Sequence, residues 1–398
     1  MLAIDKQNPP REWIESLRRQ FPCEREIDRV LQGKLARRGG PGYKPIALAT
    51  LCSGLQALLR AELREPFEVL EPQWLAGGAS KLQMAFKLSW QRPGAGRTVT
   101  PMVLRMEPAE SIVETSRLRE FQLIKAMQGV VPVPEAYWAD PLGKYLPYPA
   151  IVYGFVDGAA KPKASVSNVT GLGINFGPAA RGPLGRQYVE HLAAIHTFDW
   201  RGAELSAFDV PQSGAQSVEW MLNWWARIWR EDANEEIPLL RLAEAWLRRN
   251  APPIDRLSLV HGDYRAGNFL YSEDDLRITA WLDWELAWIG DRHADLAYMS
   301  LHTLGHYSED GGTYLQQGLM PMEAFLEAYE KCSGLPVDRA KFRYYRAFHA
   351  YRGAIIMIAT GYRAARGAKT HQDLLLAWAM GLGYVLLDEL REVLEQVG

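Results

Sequence analysis

The chemistry in this sequence gathers in one short loop and at the end of one nearby apolar run. In Ser258-Leu-Val-His-Gly-Asp-Tyr-Arg-Ala-Gly-Asn-Phe-Leu-Tyr271, an apolar strand enters a tight polar loop and leaves as a second apolar strand. The loop presents Asp263, Arg265 and Asn268 between the two. After a turn at Ser272-Glu-Asp-Asp275, Ile278 to Leu282 reads as another strand, ending at Asp283. Two carboxylates and an amide therefore sit at the mouths of adjacent short strands. Hard oxygen ligands of this kind suit Mg²⁺, which also binds substrate phosphates. A carboxylate not engaged by metal accepts a proton from an attacking hydroxyl. Phosphoryl transfer needs little beyond positioning, metal and such a base. Taken singly, Asp and Asn in loops are turn formers; the joint spacing points to chemistry.

These loops need a frame. Residues 1 to about 45 are polar and turn-rich, with helices expected over Trp13 to Gln20 and Glu24 to Arg37, as an appendage rather than a domain. An amphipathic helix follows over about 46 to 64. From Phe67 the texture changes. Phe67 to Leu75, Leu82 to Trp90 (Met84, Phe86 and Leu88 alternating with polar residues), Val99 to Met106 and Tyr148 to Val156 read as strands, with a helix over Val113 to Met127. Val131-Pro-Val-Pro134 is extended, because a residue before proline is pushed out of the α region. A long loop after Gly158 leads into mostly helical sequence: Gly185 to Thr197, Val218 to Arg230, Leu239 to Arg249, Asp291 to Leu304, Met322 to Cys332, Asp338 to Arg366 and Gln372 to Gln396. The expectation is α+β with two lobes: an N-terminal helical extension over 1–66, a small antiparallel-sheet N-lobe with one helix over 67–157, and a larger, mainly helical C-lobe over 158–398.

Composition narrows the class. Hydrophobic residues make up 48% and charged residues 23% of the 398, enough apolar material for a substantial core. A net charge of −2 advertises no nucleic-acid partner. Cys23, Cys52 and Cys332 are scattered, so neither a zinc site nor a disulfide framework is supported. No signal peptide and no membrane-spanning run is apparent, and a cytoplasmic protein is expected. No GxxxxGK[ST] occurs, and Gly171 to Gly177 misses the GxGxxG spacing and follows no strand. His302 and His306 stand four apart without the carboxylate of a metalloprotease. Trp220, Trp224, Trp225 and Trp229 repeat at helical spacing, which reads as core.

The stretch His261 to Asn268, with Asp283-Trp-Glu-Leu-Ala287 and Gly290-Asp-Arg-His-Ala-Asp-Leu-Ala297, resembles the aminoglycoside phosphotransferase and choline kinase superfamily, distant relatives of protein kinases. It looks most like the branch fused to certain acyl-CoA dehydrogenases, and the resemblance covers roughly residues 67 to 390. It implies a two-lobed protein-kinase-like fold, ATP (with GTP open) and Mg²⁺ as cofactors, and a small-molecule acceptor. Asp263 would then be the catalytic base with Arg265 beside it, and Asn268 and Asp283 would hold Mg²⁺. His261 and Glu285 would be structural, and Asp291 would brace the loop. Gly77, Gly78 and Ser80 sit where the family covers the phosphates. Arg105 stands where most kinases carry lysine, with Glu120 as its partner. Val152 to Phe155, including Tyr153 and Phe155, would be the hinge that meets adenine.

The acceptor is a separate question. Residues 341 to 372 carry Lys341, Arg343, Arg346, Arg352, Arg363, Arg366 and Lys369 until Asp373, with interleaved tyrosines and no acidic residue. Polycationic drugs need acidic pockets, so the expected acceptor is neutral or anionic with an apolar part, resembling a hydroxyacyl-CoA or hydroxy acid. Trp284, Tyr298, His302, Tyr351, Arg352 and Tyr362 are the candidate pocket residues. A true aminoglycoside phosphotransferase and a catalytically silent nucleotide-binding protein are the alternatives.

Overall fold

The alternating segments after Phe67 pair into one antiparallel sheet. The computed structural model describes residues 4–75, 81–162, 172–367, 377 and 380–396. In it β1 (Glu68–Trp74), β2 (Leu82–Arg92), β3 (Gly96–Met106), β4 (Ala136–Asp140) and β5 (Ala150–Gly154) take the order β1-β2-β3-β5-β4. β4 goes beyond the sequence expectation: four of its five residues are half-buried, so its sequence lacks a clean alternation.

The sheet has two differently employed faces. Met84, Phe86, Leu88, Met102, Leu104 and Val152 share one face, against helix α3 (Leu48–Glu62). Leu51, Leu55, Leu58 and Leu59 meet them, recurring on one side of the helix. Fully burying each leucine contributes about 1.5–3 kcal/mol. Val103, Ile151 and Tyr153 face the other way, toward Leu123, Ile124 and Met127 of α4 (Arg117–Met127). That helix starts later than expected, where the Ser116 side chain accepts from the Arg119 N–H. Register sets Arg105 opposite both Gln83 and Ile151. Strand alternation therefore puts Gln83 and Arg105 on the α4 face, toward the C-lobe.

The N-terminal segment is fastened rather than appended. Helix α1 (Arg11–Gln20) sets Leu17 against Ala226. Helix α2 (Arg25–Arg37) buries Lys34, which pairs with Glu231 at 2.5 Å and Asp232 at 3.2 Å. Just before it, Glu24 accepts from Arg119 of α4 at 2.6 Å. The segment thus bridges the lobes through ion pairs that a reading of its polar composition does not reveal.

In the C-lobe α5 (Gly177–Thr197) and α6 (Gly214–Asp232) pack against short strands, and α7 (Pro238–Arg249) packs on α6. β6 (Ser258–Val260) pairs with β9 (Trp288–Gly290), and β7 (Phe269–Tyr271) with β8 (Ile278–Trp281). Trp224 and Trp225 of α6 stack at 5.1 Å in the core, as their spacing predicts. The helix expected over Asp291 to Leu304 is short: α8 spans His293–Tyr298, followed by a 3-10 turn at His302–Leu304. The chain then forms the β10 (His306–Tyr307) and β11 (Tyr314–Leu315) hairpin, where a Cβ on Gly305 would lie 2.5 Å from the Leu315 carbonyl oxygen. His302 and His306 therefore share no helical face. Helix α9 (Met322–Ser333) is followed by α10 (Arg339–Ala354), which continues through a π-helical stretch, Ile355–Gly361, into α11 (Tyr362–Arg366); α12 (Gly381–Glu395) packs beside α10.

Candidate active site

The loop between β6 and β7 turns sharply because Gly262 takes φ +80, and a Cβ there would meet the Leu286 carbonyl oxygen at 2.2 Å. Only glycine fits both requirements. The loop amides are held from below. The buried Asp295 carboxylate accepts from the N–H of His261 at 2.7 Å and of Gly262 at 2.8 Å, and meets His196 Nε2 at 3.1 Å. Burial works against that charge, yet these hydrogen bonds hold the carboxyl below its ordinary value. The brace expected at Asp291 is thus Asp295. Asp291 instead engages the His293 ring at 2.5 Å, because its place just before α8 turns it toward that helix's first residue. His261 is fully buried, packs on Trp284 at 4.4 Å, and is held below its usual basicity by burial.

Asp263 is held on both carboxylate oxygens. Tyr298 donates to Oδ1 at 2.5 Å, and the Asn268 amide nitrogen donates to Oδ2 at 2.7 Å. Arg265 Nε stands 3.4 Å from Oδ1. With its nitrogen spent on Asp263, Asn268 keeps its carbonyl oxygen for another partner. Asp283 ends the strand side of the site in the left-handed region, at φ 65 and ψ 48. That conformation is costly for a non-glycine residue and concentrates at functional sites. It sends the carboxylate toward Arg105, whose Nη2 lies 2.5 Å from Oδ1. A carboxylate and an amide oxygen form a hard-oxygen donor set, and Asp283 already attracts a cation; both features fit Mg²⁺. Burial pushes the Asp283 carboxyl up against the pull of Arg105.

Behind Asp283 lies a buried charge cluster. Arg105 meets Glu120 at 3.3 Å and Glu285 at 3.2 Å. Arg117 meets Glu285 at 2.6 Å and Glu107 at 3.0 Å, and also pairs with Glu120. Lys81 Nζ lies 3.0 Å from Glu107 and 3.3 Å from Glu285. Burial disfavours the charge on Arg105, but Glu120, Asp283 and Glu285 together hold it well above its ordinary value. Sequence reading singled out Arg105, Glu120 and Glu285 but missed Lys81, Glu107 and Arg117. The available signal for Lys81 was parity: it lies two residues before Gln83, so it shares the cleft-facing side.

A cavity of about 520 Å³ opens over these groups, lined by Lys81, Arg105, Asp263, Arg265, Asn268 and Asp283 and extended by Tyr298, Arg352 and apolar residues of the C-lobe. Of the six acceptor-pocket candidates, Tyr298 and Arg352 line it. Trp284 is buried beneath the loop, and Tyr351 is buried outside the cavity lining. His302 is exposed and stacks on Tyr314 at 4.6 Å, and Tyr362 borders a different recess with Trp229 and Tyr384. Tyr351 and Tyr362 lie on other sides of α10 and its continuation than Arg352, while Trp284 and His302 sit in short 3-10 turns away from that helix. The basic stretch is also less free than its sequence suggests: Lys341, Arg346 and Arg363 pair with Asp255, Glu389 and Glu110. Of the residues expected at the hinge, Tyr153 is buried in the core on the α4 side of the sheet, while Phe155 is exposed and its N–H donates to the Pro101 carbonyl at 2.9 Å. Gly77, Gly78 and Ser80 lie outside the described residues, as does Lys369. Asp255, Asp291 and His293 form a separate carboxylate–imidazole cluster, already neutralised by Arg292 and Lys341.

Among the described residues no helix is long and apolar enough to cross a membrane. Residues 85–343 match the model of the phosphotransferase enzyme family, APH. Curated relatives include acyl-CoA dehydrogenase family member 11 from Pongo abelii, 26% identical over 68% of this chain and 35% of its own length. Another is the probable acyl-CoA dehydrogenase IBR3 of Arabidopsis thaliana, 26% identical over 66% of this chain and 33% of that protein. The chain spans about a third of the length of these relatives. Among solved structures, a candidate aminoglycoside phosphotransferase from Ralstonia eutropha superposes with TM-score 0.60 at 22% identity, covering 86% of this chain and 98% of the other. Choline kinase from Cryptosporidium parvum superposes with TM-score 0.50 at 13% identity, covering 92% and 96%. These likenesses establish the two-lobed kinase-like fold, and the match across residues 85–343 places the chain in the phosphotransferase enzyme family.

Proposed function

We propose that this chain is an ATP- and magnesium-dependent small-molecule kinase that phosphorylates a hydroxyl group of a neutral or anionic acceptor with an apolar part. The observation that carries the reading is the Asp263 carboxylate, held by Tyr298 and Asn268 at a cavity that Asp283 also lines. Asp263 would accept the proton of the acceptor hydroxyl. The hydroxyl oxygen forms a bond to the terminal phosphorus as the bridging bond breaks and the nucleoside diphosphate leaves. Tyr298 and Asn268 fix the direction in which Asp263 faces. Asn268 and Asp283 would hold a magnesium ion, which neutralises charge on the nucleotide phosphates when bound. Arg105 and Lys81, which line the same cavity, would be the chain's own cations for phosphate oxygens.

The apolar lining, with Leu286, Leu301, Leu304 and Leu386, and the cationic Arg352 favour a hydroxyacyl or hydroxy-acid acceptor over a polycation. The kinship with acyl-CoA dehydrogenase family members supports the same class. The full chain should bind Mg·ATP (with Mg·GTP as the comparison) and transfer labelled phosphate to a hydroxylated acyl compound, and Asp263→Asn should slow transfer by about 10²–10⁴-fold. Rapid phosphorylation of kanamycin with none of hydroxyacyl compounds would favour the aminoglycoside alternative. Absence of both nucleotide binding and transfer would make the chain a silent member of the family.

A further inference from the structure

Arg352 is the odd one out among the buried arginines of the described residues. It projects from α10 with 2% of its surface exposed and lines the cavity beside Asp263. Every other arginine buried to this degree among the described residues has a carboxylate at ion-pair distance, Arg105, Arg117, Arg227 and Arg363 included. Arg352 has none among the described residues. Its guanidinium carbon lies 4.8 Å from the centre of the Tyr298 ring and 5.6 Å from that of Trp225, and its Nη1 has no hydrogen-bond partner. A ring face offsets only part of the cost of burying a cation. Burial correspondingly lowers the basicity of Arg352, against the pull of Tyr298 and Asp263.

The surroundings specify what a missing partner would look like. Tyr298 is both the ring beneath Arg352 and the donor to Asp263. The guanidinium is therefore one side chain away from the base. Beyond it the cavity is apolar, walled by Ile356 and Met357 of the π-helical stretch and by Leu382 and Leu386 of α12. A π-helical insertion widens a helix locally, and such insertions recur at functional sites.

We infer that Arg352 is the specificity-determining residue of the acceptor site, binding the free carboxylate of an aliphatic hydroxy acid whose hydroxyl, a few bonds away, faces Asp263. This rests on the kinase reading and sharpens it. A thioester or ester offers only a neutral carbonyl oxygen, whereas a carboxylate supplies the direct ion-pair partner that Arg352 lacks among the described residues. Geometry matters as well as charge, because a guanidinium meets a carboxylate with two parallel donors.

The test uses the full chain and hydroxyhexanoates bearing the hydroxyl at the second, third or fourth carbon, with their methyl esters and CoA thioesters. Binding is measured by calorimetry with and without Mg·AMP-PNP, and transfer by phosphate incorporation from ATP. At least one free acid should bind about 10- to 100-fold more tightly than its ester, the size of a hydrogen-bonded charge contact. Arg352→Met should erase that preference by weakening the acid alone, Arg352→Lys should restore part of it, and the Mg·AMP-PNP affinity should not move. Because Arg352 has no carboxylate partner to abandon, Arg352→Met should melt no lower than the wild type. Equal binding of acid, ester and thioester would overturn the inference. So would a lower melting temperature with loss of every ligand, which marks a structural arginine. Weakened nucleotide binding in Arg352→Met would also overturn it, by assigning the guanidinium to the phosphates. If wild type binds Mg·AMP-PNP but none of the acids, the inference fails and the kinase reading stands. If it binds no nucleotide, the kinase reading itself fails.

Discussion

Glu285→Gln is the perturbation that tests the electrostatic frame of the site most directly. Four donors converge on this one buried carboxylate: Arg117 at 2.6 Å, Arg105 and Thr115 at 3.2 Å, and Lys81 at 3.3 Å. The substitution keeps the volume and removes the charge. A hydrogen bond to a charged group contributes about 1.5–3 kcal/mol, but these do not sum. Lys81 keeps Glu107, Arg105 keeps Asp283 and Glu120, and Arg117 keeps Glu107 and Glu120. The expected loss is that of breaking one buried ion pair, about 3–5 kcal/mol. Equilibrium urea unfolding of wild type and variant near neutral pH measures it. The pH dependence supplies a second check. Burial raises the Glu285 carboxyl, but Lys81, Arg117 and Arg105 outweigh it and hold the group well below its ordinary value of 4.5. A depressed carboxylate stabilises the fold above its unfolded value, and that contribution is lost as pH falls toward the folded one. The gap between wild type and variant should therefore stay constant from neutral pH down to about pH 5 and close only below about 4.5. A loss under about 1 kcal/mol at neutral pH would refute the reasoning, because it would mean the cluster re-pairs freely without its hub.

Asp263→Asn should lower kcat by about 10²–10⁴-fold, the usual contribution of a general base, while Mg·AMP-PNP binding by calorimetry stays near wild type. Tyr298→Phe removes one donor from Asp263 and should lower kcat by about 10-fold, with the fold unchanged by circular dichroism. Asp295→Asn strips the charged acceptor from the His261 and Gly262 amides and should cost about 2–4 kcal/mol in urea, together with kcat. Because the Asp295 carboxyl sits below its ordinary 3.8, its contribution is present at neutral pH and fades only in acid. Asp232→Asn leaves Lys34, Arg38 and Arg363 facing a neutral group and should cost about 3–5 kcal/mol. Its effect on the melting temperature would show that the N-terminal helix is structural, and an unchanged melting temperature would contradict that.

The candidate site's loop and strand end were legible in the sequence because local rules decide them. His261 to Asn268 is a strand, a glycine turn and a strand, and Asp283 ends the next strand; each position follows from alternation and turn chemistry within about two dozen residues. While β4, half-buried along most of its length, offered no alternation to read, the other four of the sheet's five strands were legible for the same reason. Partnership across the chain was not. That Lys81 joins Glu285, and that Asp295 rather than Asp291 supports the loop, depends on residues far apart or on which side of a short helix a carboxylate emerges. The acceptor side shows the limit most clearly. From sequence, residues 341 to 372 read as uniformly basic, aromatic helices on the acceptor side with no acidic residue. Folding brings carboxylates from Asp255, Glu110, Asp232 and Glu389 to Lys341, Arg363 and Arg346, while no described carboxylate comes to Arg352. Sequence by itself determined the residue types and spacing that make phosphoryl transfer chemically available. Only the tertiary structure decided which of many cations remains uncompensated at the cavity, because compensation of a buried charge is a contact between distant segments and leaves no local pattern.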